Sequence, residues 1–294
     1  MQLHLVDATY ELFRAHYAPR PAVRGRDGQP LGGVAGLIET LLSLLRDEGA
    51  THVACATDRV IRSFRNDLYP GYKSEAGVPP ELLAQFPLAE RAIEALGLVS
   101  WPMVEYEADD ALATAAERWA EAPGVVRILI CSADKDLAQC VRGERVVLRD
   151  RRRRITYDAA GVRAKWGVDP ASIADFLALV GDSSDGYPGL AGWGAATAAT
   201  VLARYGSVAA IPGQTSEWEV TVRGAPALAA RLAEGTREVD LYLTLARLRT
   251  DVPLPQREPE ELRWRGAPRA AYQAFCDELG LAGLRNRPHR WSEG

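Results

Sequence analysis

The sequence predicts an α/β fold in which a central, mostly parallel sheet is flanked by helices. Two short apolar strands are predicted at 3–7 and 51–58, and each ends in an aspartate. Between them, residues 34–45 carry apolar side chains at helical spacing. A strand–helix–strand succession of this kind is typical of parallel pairing, because a parallel strand needs a long crossover connection.

The remaining chain continues the alternation. Residues 19–33 are rich in glycine, proline and arginine and predict a loop, while 64–80 mix aromatic, basic and helix-breaking residues and predict a long, partly mobile excursion. A boundary is predicted at 250–255, and 256–294 show little pattern. Further strands are predicted at 98–103 and 125–131, a hairpin at 145–148 and 155–157, and helices at 9–17, 80–96, 111–119, 158–166, 172–180, 195–202 and 238–248.

Composition is that of an ordinary globular protein. The 294 residues allow one large domain or two smaller ones, and 47% are hydrophobic and 25% charged. No apolar run approaches the roughly 18 residues of a membrane helix, and the start of the chain does not resemble a signal peptide.

The four cysteines form no C-x-x-C pair and three lie in apolar surroundings, as buried thiols do in a reducing compartment. We expect a cytoplasmic monomer.

The net charge of −4 argues at first against a nucleic-acid partner. That objection weakens if two bound divalent cations bring the total to about zero, and a basic face can exist within a mildly acidic chain. Arginine is the dominant base and suits phosphate recognition better than lysine does. Its abundance equally fits a GC-rich genome.

Carboxylates recur where apolar strands end. A parallel sheet would bring five such places to one edge, where ligands bind. Nine repelling acids cannot share a site without cations, and their oxygen-rich character, without a His or Cys cluster, selects Mg²⁺ or Mn²⁺ over Zn²⁺. Two such ions about 4 Å apart would form the clamp used for in-line phosphodiester cleavage. The nine carboxylates are Asp7, Asp58, Glu107, Asp109, Asp110, Asp134, Asp136, Asp182 and Asp185.

Each carboxylate also has a plainer interpretation. A single aspartate after a strand is often a helix N-cap. Asp109 and Asp110 fit acids favoured by a helix dipole, and Asp134-Lys135-Asp136 alone fits a turn. The recurrence at strand ends is what favours a shared site.

A glycine-rich stretch follows the last of these acids. Asp182 and Asp185 are three residues apart, so one helical turn would place them on one face. Glycines at 186, 189, 192 and 194 and a proline at 188 exclude regular helix or strand, and a strong helix former follows at 195–202. Such a turn can lay backbone N–H groups against a phosphate. The plainer alternative is a helix–loop–helix with solvated aspartates.

Four motifs, taken in order, resemble the 5′-nuclease superfamily: the 5′→3′ exonuclease domain of bacterial DNA polymerase I, phage 5′-exonucleases and flap endonucleases. The resemblance covers residues 3–254. It implies a PIN-like catalytic domain at 1–175 with a helical arch near 64–90, a helix–three-turn–helix DNA-binding subdomain at 176–255, and a C-terminal extension at 256–294. The motifs are Val6-Asp7, Glu107-Ala108-Asp109-Asp110, Ser132-Ala133-Asp134-Lys135-Asp136 and Ala178-Leu179-Val180-Gly181-Asp182-Ser183-Ser184-Asp185.

The resemblance implies an Mg²⁺-dependent enzyme, with Mn²⁺ as a substitute, that cuts DNA near a 5′ end or at a flap junction and leaves a 5′-phosphate. Lys73 would stabilise charge on the scissile phosphate. Arg65 would be a catalytic residue that contacts a phosphate. Tyr72 would stack on a base, and Arg14, which matches an arginine after the first strand, would bind DNA. One metal would be held by Asp7, Asp58, Glu107, Asp109 and Asp110, and the second by Asp134, Asp136, Asp182 and Asp185.

The same resemblance assigns the turn at 186–194 to gripping duplex DNA, with a K⁺ ion held by its carbonyls. The contacts implied are Gly189, Gly192, Gly194 and Thr197. Some positions depart from the family pattern: Ala8 replaces a common glycine, no arginine follows Lys73 within a few residues, and no lysine lies near Ala196. These departures leave the metal site intact but predict weaker substrate binding.

Three functions remain open at this point: an active 5′-nuclease, a PIN-type RNase, and a non-catalytic module that binds branched DNA. The glycine-rich turn argues against the RNase, and the full set of carboxylates argues against the inactive module. Because no polymerase region is found, any polymerase partner is expected to be a separate chain. The run at 151–154 is either a solvated hairpin tip or an accessory duplex contact.

Overall fold

The computed structural model describes residues 1–292, so the last two residues of the predicted C-terminal extension lie outside the described part. A six-stranded sheet with the order β3-β2-β1-β4-β5-β6 forms the centre of the molecule. The first five strands in that order pair in parallel, and β6 is antiparallel to β5. This confirms the predicted sheet and hairpin. The strands are β1 (Gln2–Asp7), β2 (His52–Asp58), β3 (Val99–Met103), β4 (Arg127–Cys131), β5 (Val146–Asp150) and β6 (Ile155–Tyr157).

Helices cover both faces of this sheet. Side chains alternate along β1, so Leu3 and Leu5 join one hydrophobic core while Val6 joins the other. The helices are α1 (Ala8–His16), α2 (Gly32–Asp47), α3 (Arg65–Leu68), α4 (Pro80–Leu83), α5 (Phe86–Ala95), α6 (Ala108–Trp119), α7 (Ala159–Trp166), α8 (Ile173–Val180), α9 (Ala195–Tyr205), α10 (Ala225–Glu234), α11 (Thr236–Ala246) and α12 (Arg269–Leu279). None within residues 1–292 is long and apolar enough to cross a bilayer.

The segment at 64–90 differs from the sequence-based expectation. The helix predicted over 80–96 is two helices, α4 and α5, because Pro87 lacks an N–H and lies in the first turn of a new helix rather than continuing the old one. Between α3 and α4 the chain forms turns and bends. Residues 64–85 therefore contain only the single helical turns α3 and α4, joined by turns and bends, and the helical arch implied by the resemblance stays a prediction.

The loosely patterned C-terminal segment is an ordered part of the second core. Helix α12 packs against α5, and the short strands β7 (Ala267–Pro268) and β8 (Trp291–Ser292) pair in parallel. The buried indole of Trp264 donates from Nε1 to the carbonyl of Leu96 at 2.9 Å. Residues after 256 thus cover the end of α5, which their sequence alone did not indicate.

The turn after α8 depends on a close approach of two backbone segments. Gly189 has φ +70°, and a Cβ there would lie 2.2 Å from the backbone nitrogen of Gly181. A side chain at this position would be both strained and in collision with the end of α8. Glycine at 189 is therefore required by the fold itself.

We expect Gly189→Ala to lower the free energy of unfolding by at least about 1–3 kcal/mol, because strain and backbone collision act together. Urea denaturation measures this loss. Gly213→Ala is the matched control, since a Cβ there has no neighbour within 4 Å and its φ is ordinary. Equal stability of the two variants would contradict the role assigned to the close approach.

Candidate active site

The carboxyl edge of the sheet gathers the predicted acidic residues. Strands β1 and β2 end at Asp7 and Asp58. Strand β4 runs directly into the segment 132–136, and α6 begins after β3 with Glu107 at its N-cap. Parallel strands therefore deliver acids from four chain segments to one place, as the strand-end pattern predicts.

Three of these carboxylates form a compact buried group. Asp136, Asp182 and Asp185 each offer an oxygen, and these oxygens lie within 4.8 Å of one another. Oδ1 of Asp136 is buried and has no hydrogen-bond partner among the described residues. Burial raises the pKa of Asp136 well above its usual value, and the charges of Asp134 and Asp185 raise it further. An unpaired buried acid of this kind fits a divalent cation, since a bound ion offsets the cost of burying the charge.

Asp182 and Asp185 occupy a tight turn and not a helical face. Helix α8 ends before Gly181, which has φ +81°. The backbone N–H of Asp182 donates to the carbonyl of Tyr187, and the N–H of Gly186 donates back to Asp182, both at 2.8 Å. The helical geometry expected from their spacing is therefore wrong, but the turn still brings the two carboxylates together.

A second group lies at the ends of β1 and β2. Asp7 accepts hydrogen bonds from the N–H of Tyr10 and from Oγ of Ser132, both at 2.8 Å. Asp58 accepts from the N–H of Ala108 at 2.7 Å. Burial raises the pKa of Asp7 to about 7 and that of Asp58 to about 6. Asp7 is thus the helix N-cap of the plainer interpretation and also a member of the acidic site.

Asp109 joins this second group. Burial holds its pKa well above the ordinary range, and the charges of Asp7 and Asp134 raise it further. These carboxylates destabilise one another as anions, and a bound cation would relieve that repulsion. Asp134 links the two groups, since it acts on both Asp109 and Asp136.

Lys73 bridges the acids. Its Nζ lies 2.8 Å from Oε2 of Glu107 and 3.0 Å from Oδ1 of Asp185. Burial alone would lower the pKa of Lys73, but these carboxylates outweigh burial and hold it well above the usual value. The pKa of Glu107 falls to about 2 despite its burial, because the charges of Lys73 and Arg65 oppose protonation. Lys73 is therefore a fixed cation at the centre of the acidic edge.

Arg65 and Asp110 pair with each other, which corrects the roles expected for both. The guanidinium donates two bonds of 2.8 Å to the Asp110 carboxylate and further bonds to the carbonyls of Leu245 and Arg247. The Arg65 side chain is 1% exposed and that of Asp110 0%. The pair ties α6 to the end of α11. Because these donors and oxygens are engaged, neither a phosphate contact by Arg65 nor metal ligation by Asp110 is available in this structure.

Tyr72 and Arg14 also differ from expectation. Tyr72 is 4% exposed, and its hydroxyl donates to Oδ2 of Asp185 at 3.1 Å, so its ring is not free to stack on a base. Arg14 pairs with Glu11 and donates to Oγ1 of Thr40 at 2.8 Å. It lies on α1 two turns beyond Asp7 and lines a separate, arginine-rich cleft.

The glycine-rich turn ends at the start of α9. Gly192 and Gly194 are exposed, as are the first residues of that helix, and Thr197 is half-buried. The N-terminus of α9 is thus open to solvent, where its unpaired N–H groups can meet an anion. Contact of this turn with DNA stays a prediction, whereas Gly189 has the backbone role described above.

Several residues of the site were not assigned a role from the sequence. Oγ of Ser132 donates to Asp7 and accepts from the N–H of Asp134, so it connects the two strand ends. Ser132 directly follows β4, so the strand-end pattern that predicts the acids could also have predicted this serine. Oγ of Ser63 donates to Glu107 at 2.6 Å, and Nζ of Lys135 lies 2.5 Å from Asp182. Ser63 carries no local signal, since its partner is far along the chain.

Known proteins share this architecture. The family description "5′-3′ exonuclease, N-terminal resolvase-like domain" matches residues 2–167, and "5′-3′ exonuclease, C-terminal SAM fold" matches residues 168–270. The chain is 34% identical over 307 residues to a 5′-3′ exonuclease of Streptomyces coelicolor, covering 96% of this chain and 97% of that protein. It is 39% identical over 261 residues to DNA polymerase I of Rhizobium leguminosarum, covering 86% of this chain and 25% of that protein.

Solved structures agree on the fold. T5 5′-exonuclease with bound zinc ions has a TM-score of 0.66 at 17% identity, covering 98% of this chain and 100% of that one. The catalytic core of Rad2 in complex with DNA has a TM-score of 0.59 at 14% identity, covering 97% and 90%. These likenesses show that the chain shares the fold of both structures.

The chain belongs to the 5′-3′ exonuclease family. It spans about a quarter to a third of the length of the DNA polymerase I relatives that it matches, which include that of Mycobacterium tuberculosis at 36% identity over 294 residues, covering 97% of this chain and 31% of that protein. The fold and recognition inferred from the four sequence motifs are thereby confirmed.

We expect Asp110→Asn to lower the free energy of unfolding by about 3 kcal/mol, because it leaves the buried Arg65 without its main counter-ion. This is the lower end of the range for a broken buried pair, since Glu107 still lies 3.2 Å from Arg65. Urea denaturation in metal-free buffer measures the effect. The neighbouring Asp109→Asn is the control and should be neutral or stabilising, because it removes a carboxylate from mutual repulsion. Equal losses in both variants would refute the division of roles.

Proposed function

We propose that the chain is an Mg²⁺-dependent, structure-specific 5′-nuclease. It would hydrolyse DNA near a 5′ end or at a flap junction and leave a 5′-phosphate. The observation that carries the proposal is the pair of buried carboxylate groups at one sheet edge, with Lys73 fixed between them. Membership of the 5′-3′ exonuclease family supports the reaction, and the relatives named DNA polymerase I support DNA as the partner.

The donors fit hard divalent cations. They are carboxylate oxygens without His or Cys, and Oδ1 of Asp136 has no partner among residues 1–292. When bound, two Mg²⁺ or Mn²⁺ ions would lower the pKa of an attacking water and stabilise the attacking and leaving oxygens of an in-line displacement. One ion would be held by Asp7, Asp58, Asp109 and Glu107, and the other by Asp134, Asp136, Asp182 and Asp185.

The chain's own residues orient these carboxylates. Ser132 and the N–H of Tyr10 fix the two oxygens of Asp7. Tyr72 and Lys73 hold Asp185 from two sides. Fixed ligands reduce the reorganisation that metal binding and catalysis require.

Lys73 is a fixed positive charge that contacts one ligand from each carboxylate group. It is held charged by Glu107 and Asp185, with its side chain 29% exposed, so a phosphate entering from solvent can reach it. A cation at this place would offset negative charge that develops on the phosphate. We therefore assign Lys73 to stabilisation of the transition state and not to proton transfer.

The glycine-rich turn and the start of α9 would grip the duplex. Exposed N–H groups at a helix N-terminus favour a phosphate, and K⁺ bound by the turn carbonyls would add to the grip. We also propose that the protein acts as a monomer in the cytoplasm. The four cysteines are free thiols, which fits a reducing compartment.

Product mapping tests this function. Wild-type protein with Mg²⁺ should release 5′-phosphorylated products from a 5′-flap or a nicked duplex. The double variant Asp134→Asn/Asp136→Asn should lose cleavage by several orders of magnitude, because the ligands of one ion are neutralised, while it still binds DNA in Ca²⁺.

Two exposed aspartates provide the matched control for this double variant. Asp67→Asn/Asp240→Asn makes the same charge change away from the cluster and should retain cleavage. Undiminished cleavage by Asp134→Asn/Asp136→Asn would refute the two-metal assignment. Failure of the wild type on all substrates would refute the nuclease itself.

Lys73→Ala should lower the single-turnover cleavage rate by roughly 10²–10³-fold, as expected for loss of one transition-state charge contact. DNA affinity should change far less, because the contact strengthens mainly as charge develops. Lys165→Ala removes an exposed lysine on α7 and serves as the control. A rate equal to that of wild type would remove Lys73 from the reaction.

A further inference from the structure

The hydroxyl of Tyr187 has no hydrogen-bond partner within residues 1–292, although it lies in the interior of the protein. Only 1% of the residue is exposed. A buried hydroxyl without a partner destabilises a fold, because it has lost its hydrogen bonds to water. Phenylalanine would fill the same space without that cost, so folding alone does not require a tyrosine at this position.

Backbone and ring contacts hold Tyr187 in place. Its N–H donates to the carbonyl of Asp182 at 3.1 Å, and its own carbonyl accepts from the N–H of Asp182 at 2.8 Å. Its ring stacks on that of Tyr242 in α11, with the ring centres 5.6 Å apart and an angle of 22° between the planes. Tyr187 is therefore fixed beside a member of the buried carboxylate group that the turn after α8 helps to form.

Neighbouring side chains contact two of the three carboxylates in the group of Asp136, Asp182 and Asp185. Nζ of Lys135 lies 2.5 Å from Asp182, and the hydroxyl of Tyr72 donates to Asp185 at 3.1 Å. Oδ1 of Asp136 is buried and has no donor in the part of the chain that the structure describes. This oxygen thus lacks the kind of contact that the other two carboxylates make.

The unpaired hydroxyl and the unpaired carboxylate oxygen complement each other, since one is a donor and the other an acceptor. Burial raises the pKa of the Tyr187 phenol above its usual value. The charges of the three carboxylates raise that pKa further, and Asp136 has the largest effect among them. The hydroxyl therefore lies in the electrostatic field of the group and keeps its proton, which leaves it able to donate.

We propose that Tyr187 is a positioning residue for Asp136. This rests on the proposed function and deepens it. With a divalent cation bound, one oxygen of Asp136 ligates the ion and the hydroxyl of Tyr187 donates to the other oxygen. The hydroxyl of Tyr72 makes the corresponding contact to Asp185. A hydrogen bond of this kind fixes the orientation of a ligating carboxylate, and its loss weakens metal binding.

Titration with Mn²⁺ alone, in the absence of DNA, tests the proposal. Isothermal titration calorimetry compares wild-type protein with Tyr187→Phe, which removes the hydroxyl and keeps the ring. One Mn²⁺ dissociation constant should rise by roughly 10–100-fold, as is typical when a hydrogen-bond partner of a metal ligand is lost. Unchanged Mn²⁺ affinity in this variant would overturn the inference.

Tyr242→Phe is the matched control, because it removes the hydroxyl of the other ring in the same stack. Burial raises the pKa of its phenol, and the other groups that act on it are Tyr69, Glu238 and Arg231, none of which belongs to the carboxylate group. This variant should keep the wild-type Mn²⁺ affinity. An equal loss in both variants would show that the ring stack sets the affinity, which would overturn the role of the Tyr187 hydroxyl.

Thermal unfolding separates this role from a structural one. In metal-free buffer, the melting temperature of Tyr187→Phe should equal or exceed that of wild type, because an unpaired buried hydroxyl is removed. A lower melting temperature there would mean that the hydroxyl supports the fold itself, against the proposal. Addition of Mg²⁺ should raise the melting temperature of wild type more than that of the variant, since ligand stabilisation grows with affinity.

Single-turnover cleavage of a 5′-flap adds a further readout. The Mg²⁺ concentration that gives half the maximal rate should rise in Tyr187→Phe, while the rate at saturating Mg²⁺ should stay near that of wild type. A lower saturating rate with an unchanged half-maximal concentration would contradict a role in metal binding.

Failure of the inference is distinguishable from failure of the proposed function. Wild-type protein that neither binds Mn²⁺ nor cleaves the flap would remove the metal-dependent nuclease and the inference together. Wild-type protein that does both, beside a Tyr187→Phe variant of equal Mn²⁺ affinity, would overturn only the positioning role.

Discussion

Repulsion among buried carboxylates is the constraint on which the rest of the site depends. Asp7, Asp136, Asp182 and Asp185 are all buried, and burial together with their neighbours raises the pKa of the first two. An isolated folded chain gains nothing from such an arrangement, because each charge loses its water and meets like charges. Lys73 offsets part of this cost. Bound cations would offset the rest of this cost, so the arrangement of carboxylates favours metal binding.

Helix capping is what allows the fold to hold these acids. Asp7 caps α1 through Tyr10, and Glu107 and Asp110 form a reciprocal capping box at the start of α6. The same N–H groups that would be unpaired at a helix start therefore fix carboxylates at the sheet edge. Capping and metal binding are compatible roles for one aspartate, because a carboxylate has two oxygens. For Asp7 the structure shows the helix cap of the plainer interpretation, and this role leaves room for the proposed metal binding.

The sequence predicts structural features that depend on residues close together in the chain. It does not predict side-chain contacts between residues that are far apart in the chain. The carboxylates at strand ends can be predicted from the sequence because each one directly follows an apolar run in the chain. The role of Arg65 cannot be predicted in this way. A basic residue beside an aromatic one looks like a phosphate contact, and only the fold brings Asp110, 45 residues further along the chain, against it. Tyr72 is similar, since its partner Asp185 comes from the turn after α8. Local sequence shows that a side chain is charged or aromatic, but not which way it faces.

Charge separation resolves the objection raised by the negative net charge. The acids are concentrated at the sheet edge, where cations would neutralise them, while the cleft between α1, α2 and the β5–β6 hairpin is lined by six arginines and four carboxylates. At physiological salt the Debye length is about 8 Å, so a phosphate approaching the cleft responds to the nearest charges and not to the sum over the chain. Asp7 and Arg14 are about 10 Å apart along α1, roughly one such length. The sum of charges over the chain therefore does not fix the sign of the potential that a phosphate meets at either place.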